Sequence, residues 1–242
     1  MTKYIVTFKF HDDIRVYNPI TEYPSICVQI KYEKDRLRSI IHTFYASEDL
    51  SQEQCVSFSK QQLSLLWELL EYRYGFPIVP SSSHVRVEGQ AADLTASVGT
   101  SIDAILCREV ILPKDELFCR HHLRLSAWLR FVNDARNSPS DPEAVRLYYA
   151  VWEDMKGRPD QNAPIESLHL KYTRDFVSHG GKLKNKKLLK FLKEKLEQVT
   201  YQFDPANQRH RDFVKDQRKQ ARKLIEREID KELNSYESKR NS

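Results

Sequence analysis

Arg174 and His179 stand five residues apart in segment 171–181, K-Y-T-R-D-F-V-S-H-G-G, with Asp175 directly after the arginine. These three side-chain types together suit the cutting of RNA. A histidine moves a proton near neutral pH, an arginine holds a phosphate in a planar fork, and a nearby carboxylate fixes the orientation of an imidazole. On a helix, Asp175 and His179 lie four residues apart and share a face, whereas Arg174 lies about 140° round from His179. The arginine must reach round, or the helix must loosen at its end. Gly180 and Gly181 favour loosening, because glycine readily takes the left-handed conformation that ends helices. A plainer alternative makes Arg174 and Asp175 surface charges and His179 a C-terminal cap favoured by the helix dipole.

Spacing alone carries little. With 19 Arg and 8 His among 242 residues, roughly two Arg-x4–6-His pairs arise by accident. Arg36 and His42 form such a pair inside R-L-R-S-I-I-H-T-F-Y, an Ile- and Phe-rich run that reads as a strand. Context sets the Arg174 pair apart: an amphipathic helix with a plausible start, an acid after the arginine, two glycines after the histidine, and then a lysine-rich helix. On these residues the segment resembles the HEPN superfamily, helical-bundle proteins whose ribonuclease members carry Arg-x4–6-His, usually with Asn, Asp or His directly after the arginine. Arg174, Asp175 and His179 match that pattern, and the resemblance covers the C-terminal half of the chain.

The resemblance implies a metal-independent endoribonuclease that needs no cofactor, assembled as a homodimer in which two copies of the motif face each other. In it His179 serves as general base or acid, Arg174 stabilises charge on the phosphate, and Asp175 sets the imidazole tautomer. It suggests use as a toxin or antiviral-defence effector. A catalytically inactive HEPN-like module for RNA binding or protein interaction is the rival expectation. No glycine-rich phosphate loop of the G-x-x-x-x-G-K-[ST] kind is present, so nucleotide transfer finds no support.

Lys182, Lys184, Lys186, Lys187, Lys190, Lys193 and Lys195 crowd the stretch after the motif. Such a run is usually a solvated helix face. Lys182, Lys184, Lys186 and Lys187 sit next to the motif and are read as RNA-backbone contacts. Charge is segregated in the same sense: residues 1–110 hold 11 Lys/Arg against 14 Asp/Glu, whereas 111–242 hold 28 against 20. The motif half is the basic half, and counterion release draws polyanions to it.

The composition, 40% hydrophobic and 30% charged, is that of a folded globular chain. No apolar run approaches the roughly 20 residues that span a bilayer, and the first ten residues alternate, so a cytoplasmic protein with no membrane partner is expected. Cys27, Cys55, Cys107 and Cys119 lack paired C-x-x-C spacing. A zinc site at Cys107, Cys119, His121 and His122 is disfavoured by the long gap between its cysteines.

The elements that must position the motif follow from periodicity. Alternation at Tyr4, Val6, Phe8 and Phe10, and β-rich runs at 25–32 and 39–45, predict an antiparallel sheet. Ser51, with Glu53 and Gln54 in the first turn, opens a helix that runs to Gly75 and packs on that sheet. Strand-like stretches recur at 85–88 and 102–112. Beyond Pro113 the period becomes helical: helices are predicted over 115–137, from Asp141 and Pro142 to Gly157, from about 163 to Gly180, over 185–201, and through much of 205–238. Ala221, Ile225, Ile229 and Leu233 make an apolar stripe on the last. The expected architecture is an α+β domain at 1–112, free to sense, recruit or restrain and so to meet a regulatory protein partner, followed at 113–242 by an all-α, up-and-down, HEPN-like bundle.

Overall fold

The computed structural model describes residues 1–11, 14–75, 77–88, 94–96, 108–110, 112, 114–118, 123–160, 162–178, 186–197 and 202–238. An antiparallel sheet occupies the N-terminal part and helices the C-terminal part. By contact the chain separates into two compact units, Met1–Leu129 and Arg130–Asn241. The boundary falls inside a helix, whereas the change of sequence period falls near residue 112. The segment around 115–118 stays with the first unit because Phe118 packs edge-on against Tyr23 at 4.9 Å and Ser25 Oγ donates to Asp115 Oδ1 at 2.6 Å.

In the first unit β1 (Thr2–Lys9) runs between β5 (Arg36–Ala46) and β6 (Ser82–Val87), antiparallel to both. Outward from β5 come β4 (Val28–Glu33) and β3 (Glu22–Tyr23), and outward from β6 comes β7 (Leu94–Ala96). The short β2 (Ile14–Val16) pairs antiparallel with the start of β5 and parallel with β8 (Arg108–Val110). That parallel pair departs from an all-antiparallel expectation; the long chain between its strands permits it, since parallel neighbours need a crossover. The alternation of β1 buries Tyr4, Val6 and Phe8 on one face.

Two helices cover that face. Ser51 caps α1 (Gln52–Gln62) in a reciprocal box with Gln54, and α2 (Ser64–Tyr74) follows after a break at Leu63. The sequence predicts one continuous helix here, because apolar spacing carries through the break. Leu63 itself is buried, and Trp67 meets Phe8 at 5.3 Å. Gly75, at φ 84°, closes α2 by donating its N–H to Glu71 O, a left-handed position where glycine costs least.

The second unit is built on α4 (Asp141–Lys156), α5 (Ile165–Ser178), α6 (Lys186–Leu196) and α7 (Gln208–Ser238), with the end of α3 (Leu123–Asn137). The sequence-predicted helix 115–137 is thus a short 3-10 turn at Asp115–Leu117 and then α3. Ser140, the residue before the expected start at Asp141, caps α4 by accepting from the Glu143 N–H. α5 returns antiparallel to α4, as contacts from the start of α4 to the end of α5 require, and α7 runs parallel to α4, with Arg218 meeting Asp141 and Glu228 meeting Lys156.

One guanidinium ties three of these helices. Arg218 on α7 donates to the carbonyls of Ala135, Arg136 and Ser138 at the end of α3, at 2.8, 3.0 and 2.9 Å, and to Asp141 Oδ1 at 2.8 Å. The last carbonyls of a helix have no donor from its own backbone, and Arg218 supplies one here. α7 turns Phe213, Val214, Ala221, Leu224, Ile225, Ile229 and Leu233 inward together with His210, Gln217 and Glu228. Burial pushes the Glu228 carboxyl up, but hydrogen bonds from Lys231 and Lys156 outweigh it and hold the group below the usual carboxylate range.

Candidate active site

The last turns of α5 carry the motif, and the sequence explains why they lie where they do. Leu170, Thr173, Phe176 and Val177 face inward. Phe176 packs edge-on against Phe213 and His210 of α7 at 6.0 and 5.3 Å, which fixes the rotation of α5 about its axis. Arg174 and Asp175 then fall on the side facing α4 and its margin.

There the Arg174 guanidinium lies over the ring of Tyr149, 4.2 Å from the centroid, and its Nη1 meets Asp175 Oδ1 at 3.0 Å. Both side chains are largely covered, at 24% and 16% exposure. The guanidinium is therefore held flat, its charge shared between an aromatic face and a carboxylate. Two buried polar atoms in this stack, Arg174 Nε and the Tyr149 hydroxyl, have no hydrogen-bond partner among the described residues. The structure thus brings Arg174 and Asp175 together. His179, Lys182 and Lys184 lie outside the described residues, whereas Lys186 and Lys187 are exposed at the start of α6.

A residue the sequence did not single out meets the same helix end. Arg146 of α4 donates through Nη2 to Val177 O at 2.7 Å and through Nε to Ser178 Oγ at 3.2 Å, while its Nη1 pairs with Glu143 at 3.0 Å. It is thus a tertiary cap on α5 immediately before His179. The only sequence sign was position: Arg146, Tyr149 and Glu153 recur at three- and four-residue steps along α4, a periodicity any solvated helix edge shares.

The other described histidines of this unit are engaged elsewhere. The His169 ring lies tilted against Phe191 at 4.6 Å, and burial, aided by Lys195, lowers its pKa. His210 accepts at Nδ1 from the Asp204 N–H at 3.0 Å, and burial lowers its pKa as well. In the first unit, Arg36 and His42 lie on β5; His42 is buried against Ser59 at 2.9 Å and burial lowers its pKa to about 4. Cys107, Cys119, His121 and His122 lie outside the described residues. Among the described residues no group of three or more His, Cys, Asp or Glu is placed to hold a metal ion, and no helix is long and apolar enough to cross a membrane.

No family model, curated protein or solved structure matches the chain.

Proposed function

We propose that the chain is a metal-independent, HEPN-like endoribonuclease acting through Arg174, Asp175 and His179, as a homodimer. One observation carries the reading: a guanidinium and a carboxylate joined at 3.0 Å in the last two turns of α5, directly before the histidine and a run of lysines. In the reaction the ribose 2′-hydroxyl gives its proton to the His179 imidazole as its oxygen attacks the adjacent phosphorus. The bond to the 5′-oxygen breaks, that oxygen takes a proton from a protonated imidazole or water, and the products are a 2′,3′-cyclic phosphate and a 5′-hydroxyl. Arg174 neutralises charge on the non-bridging oxygens. Its pre-set plane reduces the ordering this requires at the moment of reaction. Toxin or defence use belongs to the same proposal.

A second reading has its own observation. Stacking on Tyr149 and pairing with Asp175 occupy Arg174 as a structural residue would be occupied, which suits a catalytically silent module that binds RNA or protein. Incubating parent, His179→Ala and Arg174→Lys proteins with total RNA in EDTA separates the two. The nuclease reading expects fragments with cyclic phosphate ends from the parent, loss of at least a hundredfold in His179→Ala, and no cutting of DNA, which lacks the 2′-hydroxyl. Equal rates for parent and His179→Ala refute it.

A further inference from the structure

α6 and α7 place their cations against the electrostatics of their own backbones. A helix N-terminus carries partial positive charge and favours acids in its first turn, whereas cations there are opposed. Neither helix has an acid in its first turn; α6 opens on Lys186 and Lys187, and α7 opens with Arg209 and Arg211 in its first turn. The bias persists along α7. Residues 208–223 carry seven Lys/Arg against two Asp, whereas 224–238 carry two against five Asp/Glu. A helix face that served only solubility would mix the signs.

The inward faces of both helices are fixed by packing, so the cations have one direction left. Phe191 of α6 meets Phe213 of α7 at 5.8 Å, laying the helices side by side with both rings buried. Lys186, Lys187, Lys190 and Lys193 are exposed on α6, and Arg211, Lys215, Lys219 and Lys223 are exposed on α7. The four on α7 recur every fourth residue, a rise of about 6 Å per step and about 18 Å in all. Acids among them are few and exposed: Lys190 reaches Glu194 at 3.9 Å and Lys219 reaches Asp216 at 3.3 Å, contacts that a phosphate can replace at little cost.

We propose that the outward faces of α6 and of the first half of α7 form one docking surface for the phosphate backbone of base-paired RNA. The choice of RNA rests on the nuclease reading above; the choice of a paired backbone rests on the faces themselves. Binding to single strands relies on aromatic platforms for the bases, and the aromatics of these segments, Phe191 and Phe213, are both buried. What is left to recognise is regularly spaced phosphate charge, read without sequence.

The test uses the full chain carrying His179→Ala, so that bound RNA stays intact, with and without Arg211→Gln, Lys215→Gln, Lys219→Gln and Lys223→Gln together. Binding to a hairpin duplex RNA, to an unpaired RNA of equal length and to a duplex DNA is measured against salt. The proposal expects the duplex RNA to bind best, the quadruple variant to bind it at least tenfold more weakly at about 0.1 M salt, and the log–log salt slope to fall by about 3. The variant should unfold within a few degrees of the parent, because all four side chains are exposed and only Arg211 lies in the first turn of α7. An unchanged slope overturns the proposal, as do tighter binding of unpaired RNA, tighter binding of duplex DNA, or capture by anionic vesicles in place of RNA. Loss of the slope in the quadruple variant, with a parent that never cleaves RNA although His179 is intact, keeps this surface and sinks the nuclease reading; cleavage by the parent with an unchanged slope in the variant does the reverse.

Discussion

Arg174→Ala should destabilise the helical unit by about 1 kcal/mol, whether or not the protein cuts RNA. A partly desolvated cation over an aromatic ring contributes about 1–2 kcal/mol, and the guanidinium lies 4.2 Å from the Tyr149 centroid. The pair with Asp175 adds about 0.5–1 kcal/mol, since both groups keep some solvent contact. Removal also takes away a buried Nε that has no hydrogen-bond partner among the described residues, which returns about 1 kcal/mol. Contacts win over that relief. Arg174→Lys retains a charge for Asp175 but loses the planar stack, so its loss should be about half as large. The assay is urea unfolding of parent and both variants, with the m-value checked for constancy. An Arg174→Ala protein within 0.5 kcal/mol of the parent would refute the view that the stack in the structure is energetically real. The result also bears on any activity assay. An Arg174→Ala protein that has lost activity is informative only at temperatures where it is shown to be folded, which is why His179→Ala and Arg174→Lys are the cleaner probes.

Other outcomes follow from the same structure. Burial holds His42 neutral with a pKa of about 4 against an ordinary 6.5, so between those values the unfolded state binds more protons and stability rises with pH. Sheet stability should be complete above about pH 6.5 and fall by up to about 3 kcal/mol as pH drops through 4; hydrogen-exchange protection of β5 in parent and His42→Gln should show a flatter profile in the variant. Arg218→Met should cost about 3 kcal/mol in urea unfolding, because it strips partners from three carbonyls and Asp141 at once; a cost below 1 kcal/mol would mean that water replaces the guanidinium freely. Ser51→Ala should lower stability by about 1 kcal/mol through loss of the box with Gln54, measured by thermal unfolding.

Much of the fold was legible because it rests on local repetition. β1, β4 and β5 alternate, and α4 and α5 carry apolar residues at helical spacing. What escaped the sequence depended on distant partners or on very short elements. β2 and β3 have three and two residues, too few to show a period. Leu63 breaks a helix within an unbroken apolar pattern. The inward positions of α7 include Gln217 and Glu228, which a hydrophobic pattern must miss because their burial is compensated by Thr173 and by lysines from two helices. At the site, the sequence singled out Arg174 and Asp175 but assigned the carboxylate to His179 and not to the guanidinium that it meets, and no local rule could show that Tyr149 supports the arginine or that Arg146 caps the turn beyond. Both depend on how α5 is turned towards α4, a rotation that Phe176 fixes by packing against α7.

The central position of β1 has a further consequence for biogenesis. Residues 2–9 leave the ribosome before either flanking strand, and their partners end only at Ala46 and Val87. Until the second of these is made, the apolar side of β1 has no complete sheet to join, and folding must wait on loop closures of about 40 and 80 residues. A translational pause placed before residue 87 should therefore prolong the interval in which Tyr4, Val6 and Phe8 are open to chaperones.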